Sequence, residues 1–129
     1  MDRSGPAIIL VAPQMGENIG ATARAMYNFG LTDLRLVRPR DGWPNPDAVP
    51  MASGATPVLD NVQVFGDTRD AVADLQYVVA TTARMREMIK PVVRPDEAAI
   101  ECRNRVNDGQ KAGILFGAES SGFALFPSA

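Results

Sequence analysis

Ala7-Ile8-Ile9-Leu10-Val11-Ala12, closed by Pro13 and followed by Glu17-Asn18-Ile19-Gly20-Ala21-Thr22-Ala23-Arg24, is the stretch that decides the fold of this chain. An apolar run of that length ended by a proline reads as a buried strand. Beyond it Ile19, Ala23, Met26 and Tyr27 recur at helical spacing and stop before Gly30, which predicts a helix over 19–29. A strand, a polar turn and a helix opening place Asn18 and Arg24 at the carboxyl edge of a sheet, where open α/β sheets bind their ligands. Each residue also has a bland role open to it. Asn18 can cap the helix through its side-chain oxygen, Gly20 can serve close packing, and Arg24 can be a surface charge. Their combination directly after a strand points to a site.

Further along, the pattern keeps alternating. Apolar runs predict strands over 34–37, 62–65, 77–81 and 113–116, and helical spacing predicts helices over 69–75 and 96–107. Asp96 and Glu97 in the first turn of the last helix suit its dipole. A Pro- and Gly-rich stretch over 39–50, with Trp43 in it, reads as a loop, and 51–56 as a short helix or a turn. The expected fold class is α/β, a mostly parallel sheet with helices on both faces. With 129 residues the chain suffices for one domain with a real core and not for two, so residues 1–129 are expected to form a single domain.

Composition narrows the chemistry. The chain has no histidine, which excludes a Ser-His-Asp triad, a Cys-His pair and histidine metal sites, so no metal is expected. Catalysis must use carboxylates, Arg, Lys, hydroxyls or the backbone. No apolar run approaches the roughly 20 residues that span a bilayer, residues 1–6 lack signal-peptide architecture, and Cys102 has no cysteine to pair with. These observations lead to the expectation of a cytoplasmic protein without a membrane partner. A formal net charge of −2 argues weakly against nucleic-acid binding through bulk charge. The local distribution differs: Arg35, Arg38 and Arg40 form one basic segment, and Arg84, Arg86, Lys90 and Arg94 another. Together they can make a phosphate-facing rim or simply be solvated loop charge.

Two more segments end predicted strands in small and polar residues. They are Ala80-Thr81-Thr82-Ala83-Arg84 and Leu115-Phe116-Gly117-Ala118-Glu119-Ser120-Ser121-Gly122. Neither the Gly-Lys-Ser/Thr ending of a P-loop nor GxGxxG is present, so the common nucleotide fingerprints do not apply.

In this order and spacing, the three segments resemble the SpoU (TrmH) family of RNA 2′-O-ribose methyltransferases, over about residues 7–122. Asn18-Ile19-Gly20-Ala21-Thr22-Ala23-Arg24 matches the family's N-x-G-x-x-x-R motif, and Phe116-Gly117-Ala118-Glu119 the start of its second. The stretch from Phe29 to Val37, and Met51-Ala52-Ser53-Gly54-Ala55, look like the TrmJ-like branch, which methylates tRNA. The resemblance implies a SPOUT-type fold with a trefoil knot, a homodimer, and S-adenosylmethionine-dependent 2′-O-methylation of a ribose in tRNA or rRNA. It implies Arg24 as catalytic residue with Asn18 and Glu119 supporting it, and Thr81, Thr82, Ala83 and Gly117 as cofactor contacts. Arg38, Arg40, Arg84 and Arg86 are the expected RNA contacts. Because arginine stays protonated to a pKa above about 12, Arg24 is expected to stabilise developing alkoxide charge rather than act as a free base.

Two departures stand out. The family's second motif continues E-R-x-G-L, whereas here Ser120 replaces the arginine in Glu119-Ser120-Ser121-Gly122-Phe123. The third, Asn/Ser/Leu-rich motif is absent from 123–129, so the expectation is a domain lacking the segment that closes the knot. The alternative expectation is a catalytically inactive RNA-binding or dimerisation domain.

Overall fold

A computed structural model describes the backbone of residues 5–81, 95–117 and 125–127, and the side chains of 5–80 and 100–117. Five strands run parallel: β1 (Ala7–Val11), β2 (Leu34–Val37), β3 (Gln63–Phe65), β4 (Tyr77–Thr81) and β5 (Ala112–Phe116). A short β6 (Leu125–Pro127) lies antiparallel to β4, giving the sheet order β3-β2-β1-β5-β4-β6. The helices are α1 (Gly16–Asn28), α2 (Ala48–Ala52), α3 (Thr56–Asp60), α4 (Thr68–Ala71) and α5 (Pro95–Asn107).

Residue alternation along the strands sorts the helices between the faces. Ile8, Leu34 and Leu36 pack with Ile19, Ala23 and Met26 of α1, Ala48 and Ala52 of α2, and Val58 of α3. Ile114 touches this cluster and also the one formed by Val79, Ala112 and Cys102, so α5 shares that face. Ala7, Ile9 and Val37 point the other way, against Ala71 of α4 and the following Val72 and Leu75. The α/β reading with helices on both faces holds.

The expected 34–37 and 77–81 strands coincide with β2 and β4. The first helix begins earlier than the apolar spacing implied, because Met15 already takes the extended backbone of an N-cap (φ −110°, ψ 132°). Helix α2 spans the end of the stretch read as a loop and the start of 51–56, read as a short helix or a turn, and α3 follows it. Pro50 sits in the first turn of α2 and Pro57 near the start of α3, positions where the missing N–H breaks no helical bond. At α4 the Asp67 carboxylate accepts the Asp70 N–H at 2.8 Å, and the helix stops well short of the expected residue 75.

Gly20 turns out to be a packing residue. A Cβ built on it would lie 2.1 Å from the Ala48 carbonyl oxygen, so the absent side chain is what lets α1 meet α2.

Arg35 leaves the basic segment to which the sequence assigned it. Lying between Leu34 and Leu36 in β2, it is 5% exposed and faces α4. Its Nε and Nη2 donate to the Asp33 carboxylate at 3.1 and 2.9 Å. Nη1 and Nη2 donate to Asp74 at 2.6 and 3.1 Å, and Nη1 also to the Ala71 carbonyl at 2.7 Å. All five N–H groups of the guanidinium are used, so Arg35 is no phosphate contact. Burial by itself would make it easier to deprotonate, but the bonds to Asp33 and Asp74 outweigh burial and hold it protonated.

The same contact sets an acid-side dependence. The hydrogen bond from Arg35 holds Asp74 below the usual carboxylate range. A carboxylate depressed in the folded state contributes stability above its unfolded pKa, near 4, and loses it as pH falls through the folded value. Urea unfolding between pH 6 and pH 3 is therefore expected to show a steeper acid loss for the wild type than for Asp74→Asn. The difference should be about 1 kcal/mol or less, because the Asp74 side chain is 45% exposed. Identical slopes would show that the pair carries no proton linkage.

Candidate functional site at the carboxyl edge

Parallel registry brings the carboxyl ends of the strands into one row. Val11 is opposite Val37, Leu10 opposite Phe116, and Thr81 opposite Phe116. At the ends of β2, β1, β5 and β4, Arg38, Ala12, Gly117 and Thr81 therefore follow one another, across roughly 14 Å at the usual strand spacing.

Two of them are strained. Ala12 and Arg38 have φ of 52° and 47°, a left-handed conformation that costs a non-glycine residue about 1–2 kcal/mol. Both are held there by ladder bonds that continue past the strand ends. The Ala12 N–H donates to the Val37 carbonyl at 2.7 Å and the Arg38 N–H to the Phe65 carbonyl at 3.1 Å. Such strain survives where the surroundings over-determine it, and it concentrates at functional sites.

The β1–α1 connection delivers the helix N-terminus to this row. Met15 makes no side-chain cap bond, and the positive end of the α1 dipole lies at this turn. Asn18 is the third helical residue and not the cap that its side chain would allow. Its N–H reaches the Met15 carbonyl at 3.1 Å and its carbonyl accepts from the Thr22 hydroxyl at 2.8 Å. The Asn18 side chain is exposed. Arg24, also exposed, lies about 9 Å further along the axis and about 120° around it, so the two occupy different faces of α1. Helical Cα–Cβ bonds tilt toward the N-terminus, which for Arg24 is the direction of the edge.

The structure thus brings Asn18, Arg38, Gly117 and the backbone of Thr81 to one edge, with Arg24 further down α1. Arg40 is exposed and pairs with its neighbour Asp41 through bonds of 3.1 and 3.2 Å, which tempers its charge. Its backbone N–H donates to the Pro13 carbonyl at 3.0 Å, tying it to the β1–α1 turn. Thr82, Ala83, Arg84, Arg86 and Glu119 lie outside the described residues. Cys102 is remote: it is buried on α5, and burial, then Glu101, pushes its thiol up to about 11, which makes it inert as a nucleophile.

The sequence reading did not single out Ala12 or Asn45. Asn45 is 8% exposed, and its amide lies where a Cβ on Gly16 would come within 2.6 Å. An Asn two residues before Asp47, at the start of a helix, is the signal that could have revealed it.

At the opposite, amino edge a cavity of about 160 Å³ is lined by Asp33, Arg35, Asp74 and Lys111, among others. Its charged groups satisfy one another, and it is the open side of the ion-pair network.

A family model described as "SpoU rRNA Methylase family" matches residues 5–125. The chain is 37% identical over 115 residues to the Pseudomonas aeruginosa tRNA (cytidine/uridine/adenosine-2′-O-)-methyltransferase TrmJ, covering 89% of this chain and 44% of that protein. It is 33% identical over 122 residues to the Methanocaldococcus jannaschii tRNA (cytidine-2′-O-)-methyltransferase TrmJ, covering 90% and 50%. The crystal structure of TrmJ from Z. mobilis ZM4 superposes with a TM-score of 0.82 at 57% identity, over 91% of this chain and 51% of that one. The chain spans about half the length of the relatives it matches.

Proposed function

The chain belongs to the SpoU rRNA methylase family, and on that premise we propose that it serves S-adenosylmethionine-dependent methylation of a ribose 2′-hydroxyl in tRNA. One observation carries the reading. Thr81 and Gly117 lie at the ends of neighbouring strands on one sheet edge, where β2 runs into the strained Arg38 and β1 leads into the first turn of α1 with Asn18. The activities of the similar TrmJ proteins support tRNA as the substrate.

The cofactor fits the side of the edge where β4 and β5 end. Ala80 and Gly117 are small there, and Gly117 is the first residue past the end of β5. Thr81 and Gly117 would hold the cofactor together with Thr82 and Ala83. When bound it supplies the methyl group. The rest falls to the chain's own residues. Arg24 stabilises the negative charge that develops on the ribose oxygen. Asn18 hydrogen-bonds the ribose or its phosphate and fixes the attack direction, with Glu119 supporting this part of the site. Arg38, and Arg40 in competition with Asp41, meet phosphates, joined by Arg84 and Arg86.

The same reading includes the family's trefoil knot and a homodimer. The aromatic surface left exposed at the end of α1, Tyr27 and Phe29, supports the dimer. A cytoplasmic location follows from a tRNA substrate. No helix among the described residues is long and apolar enough to cross a membrane.

Titration calorimetry with S-adenosylhomocysteine and methyl transfer to a tRNA transcript test the proposal. Arg24→Ala is expected to lower kcat more than tenfold, over about 1.4 kcal/mol of barrier, with the affinity for S-adenosylhomocysteine unchanged. A protein that neither binds S-adenosylhomocysteine nor methylates tRNA would overturn the reading.

A further inference from the structure

Segment 38–47 joins β2 to α2 and passes beside the N-terminus of α1. Three features fix it there. Its first residue, Arg38, is locked in the left-handed region with its N–H on Phe65. The Arg40 N–H binds the Pro13 carbonyl in the β1–α1 turn. The Asn45 side chain, nearly buried, fills the notch that Gly16 leaves at the first turn of α1. The Asn45 Oδ1 also accepts the Asp47 N–H at 3.0 Å, and its carbonyl accepts the Ala48 N–H at 3.1 Å, so the same residue launches α2. A polar side chain buried in a surface loop, partnered to its own backbone, is a device for holding one loop shape.

We propose that segment 38–47 is a preformed RNA-binding arm, and that Asn45 is the positioning residue that locks it to α1. Through the Gly16 notch, Asn45 sets where Arg38 and Arg40 meet RNA phosphates relative to Asn18, two residues further along the same helix. A preformed arm loses little conformational freedom when RNA binds, which is the return on holding Arg38 in a strained backbone. The inference rests on the RNA-directed function proposed above. It goes further by dividing the edge into a cofactor side, at β4 and β5, and an RNA side braced by a residue outside the family motifs.

The test measures tRNA binding by fluorescence anisotropy over a salt series and S-adenosylhomocysteine binding by calorimetry, on the whole protein. Asn45→Ala is expected to weaken tRNA binding about fivefold or more while S-adenosylhomocysteine affinity stays within twofold. Asn45→Ser, whose hydroxyl can accept the same backbone N–H, is expected to recover most of that loss. Arg38→Gly leaves the lock intact and relieves the left-handed strain. It is expected to raise Tm by a few degrees, weaken tRNA binding, and reduce the slope of log K against log salt by about 0.7–0.9. Folded Asn45→Ala that binds tRNA like the wild type would overturn the proposal, as would parallel loss of tRNA and S-adenosylhomocysteine binding. If Asn45→Ala does not fold, Arg38→Gly decides: an unchanged tRNA affinity and salt slope would overturn the arm. A wild type that binds no tRNA would overturn both this inference and the function beneath it, whereas wild-type-like variants of a tRNA-binding protein overturn the inference alone.

Discussion

Arg35→Met is expected to destabilise the fold by about 3–5 kcal/mol, lowering Tm by more than about 10 °C for a domain of this size. Methionine replaces most of the stem volume, so the loss does not come from a cavity. It comes from what stays behind. The Asp33 side chain, 7% exposed, is left in a poorly solvated place without the two donors and the cation that it faces. The Ala71 carbonyl loses the donor at 2.7 Å. The intact network is not worth that much relative to an apolar packing, because desolvating the charges offsets most of their attraction. Adding Asp33→Asn to Arg35→Met should therefore restore part of the stability, a coupling that a double-mutant cycle reads directly. Asp74→Asn at neutral pH should cost far less, since the Asp74 side chain remains 45% exposed. Equal effects for Arg35→Met and Asp74→Asn would sink this account. At temperatures where Arg35→Met is folded, its tRNA affinity should match the wild type, which separates it from Arg38.

Gly20→Ala should cost about 2–3 kcal/mol, against the general rule that alanine improves a helix interior by about 1 kcal/mol over glycine. The sign is decided by what the new methyl meets. The obstruction is backbone: the Ala48 carbonyl oxygen at 2.1 Å and its carbon at 2.9 Å, with Met51 Cβ at 3.0 Å. No rotamer change removes a carbonyl, so α1 must back away from α2 by more than 1 Å, taking Ile19 and Ala23 with it. That displacement also shifts the Gly16–Asn45 contact. Loss of tRNA binding should accompany the loss of stability even where the variant is still folded. Thermal unfolding of Gly20→Ala beside Ala21→Gly, at an exposed neighbouring position, checks the claim. A Gly20→Ala protein as stable as the wild type would refute it.

The central strands were legible because parallel strands covered on both faces read as continuous apolar runs. The placement of Gly117 and the Thr81 backbone at one edge, beside the β1–α1 turn, followed from strand-helix alternation alone. The fates of Arg35, Arg38 and Arg40 were not. The three arginines stand within one short segment, yet one is buried in an ion-pair network, one is strained at the edge, and one pairs with its neighbour. What separates the first from the others is Asp74, a partner far along the chain that no local pattern announces. Strand alternation held half the answer, since Arg35 sits between two core leucines in a strand buried on both faces. Prolines blurred α2 and α3, so that 51–56 was legible only as a short helix or a turn, because a proline marks a loop on average but fits a first turn. The capping role open to Asn18 fell to Met15, whose extended backbone alone ends the turn. Asn45 was invisible for a different reason: its meaning depends on a glycine in another element, and notch and filler show together only in three dimensions.

The strand order has a consequence for synthesis. β1 is made first, and β2 can pair with it almost at once, but its other neighbour is β5, with Ala7 opposite Gly113. At translation rates of 5–20 residues per second, the ribosome takes on the order of ten seconds to deliver that partner. Throughout that interval Ile8, Ile9, Leu10 and Val11 present an open, apolar strand edge, the kind of template on which chains aggregate. Closing it requires a long-range parallel pairing, which is intrinsically slow. The centre of the finished sheet is thus sealed only after β5 has been made, although its first strand is the earliest of the six.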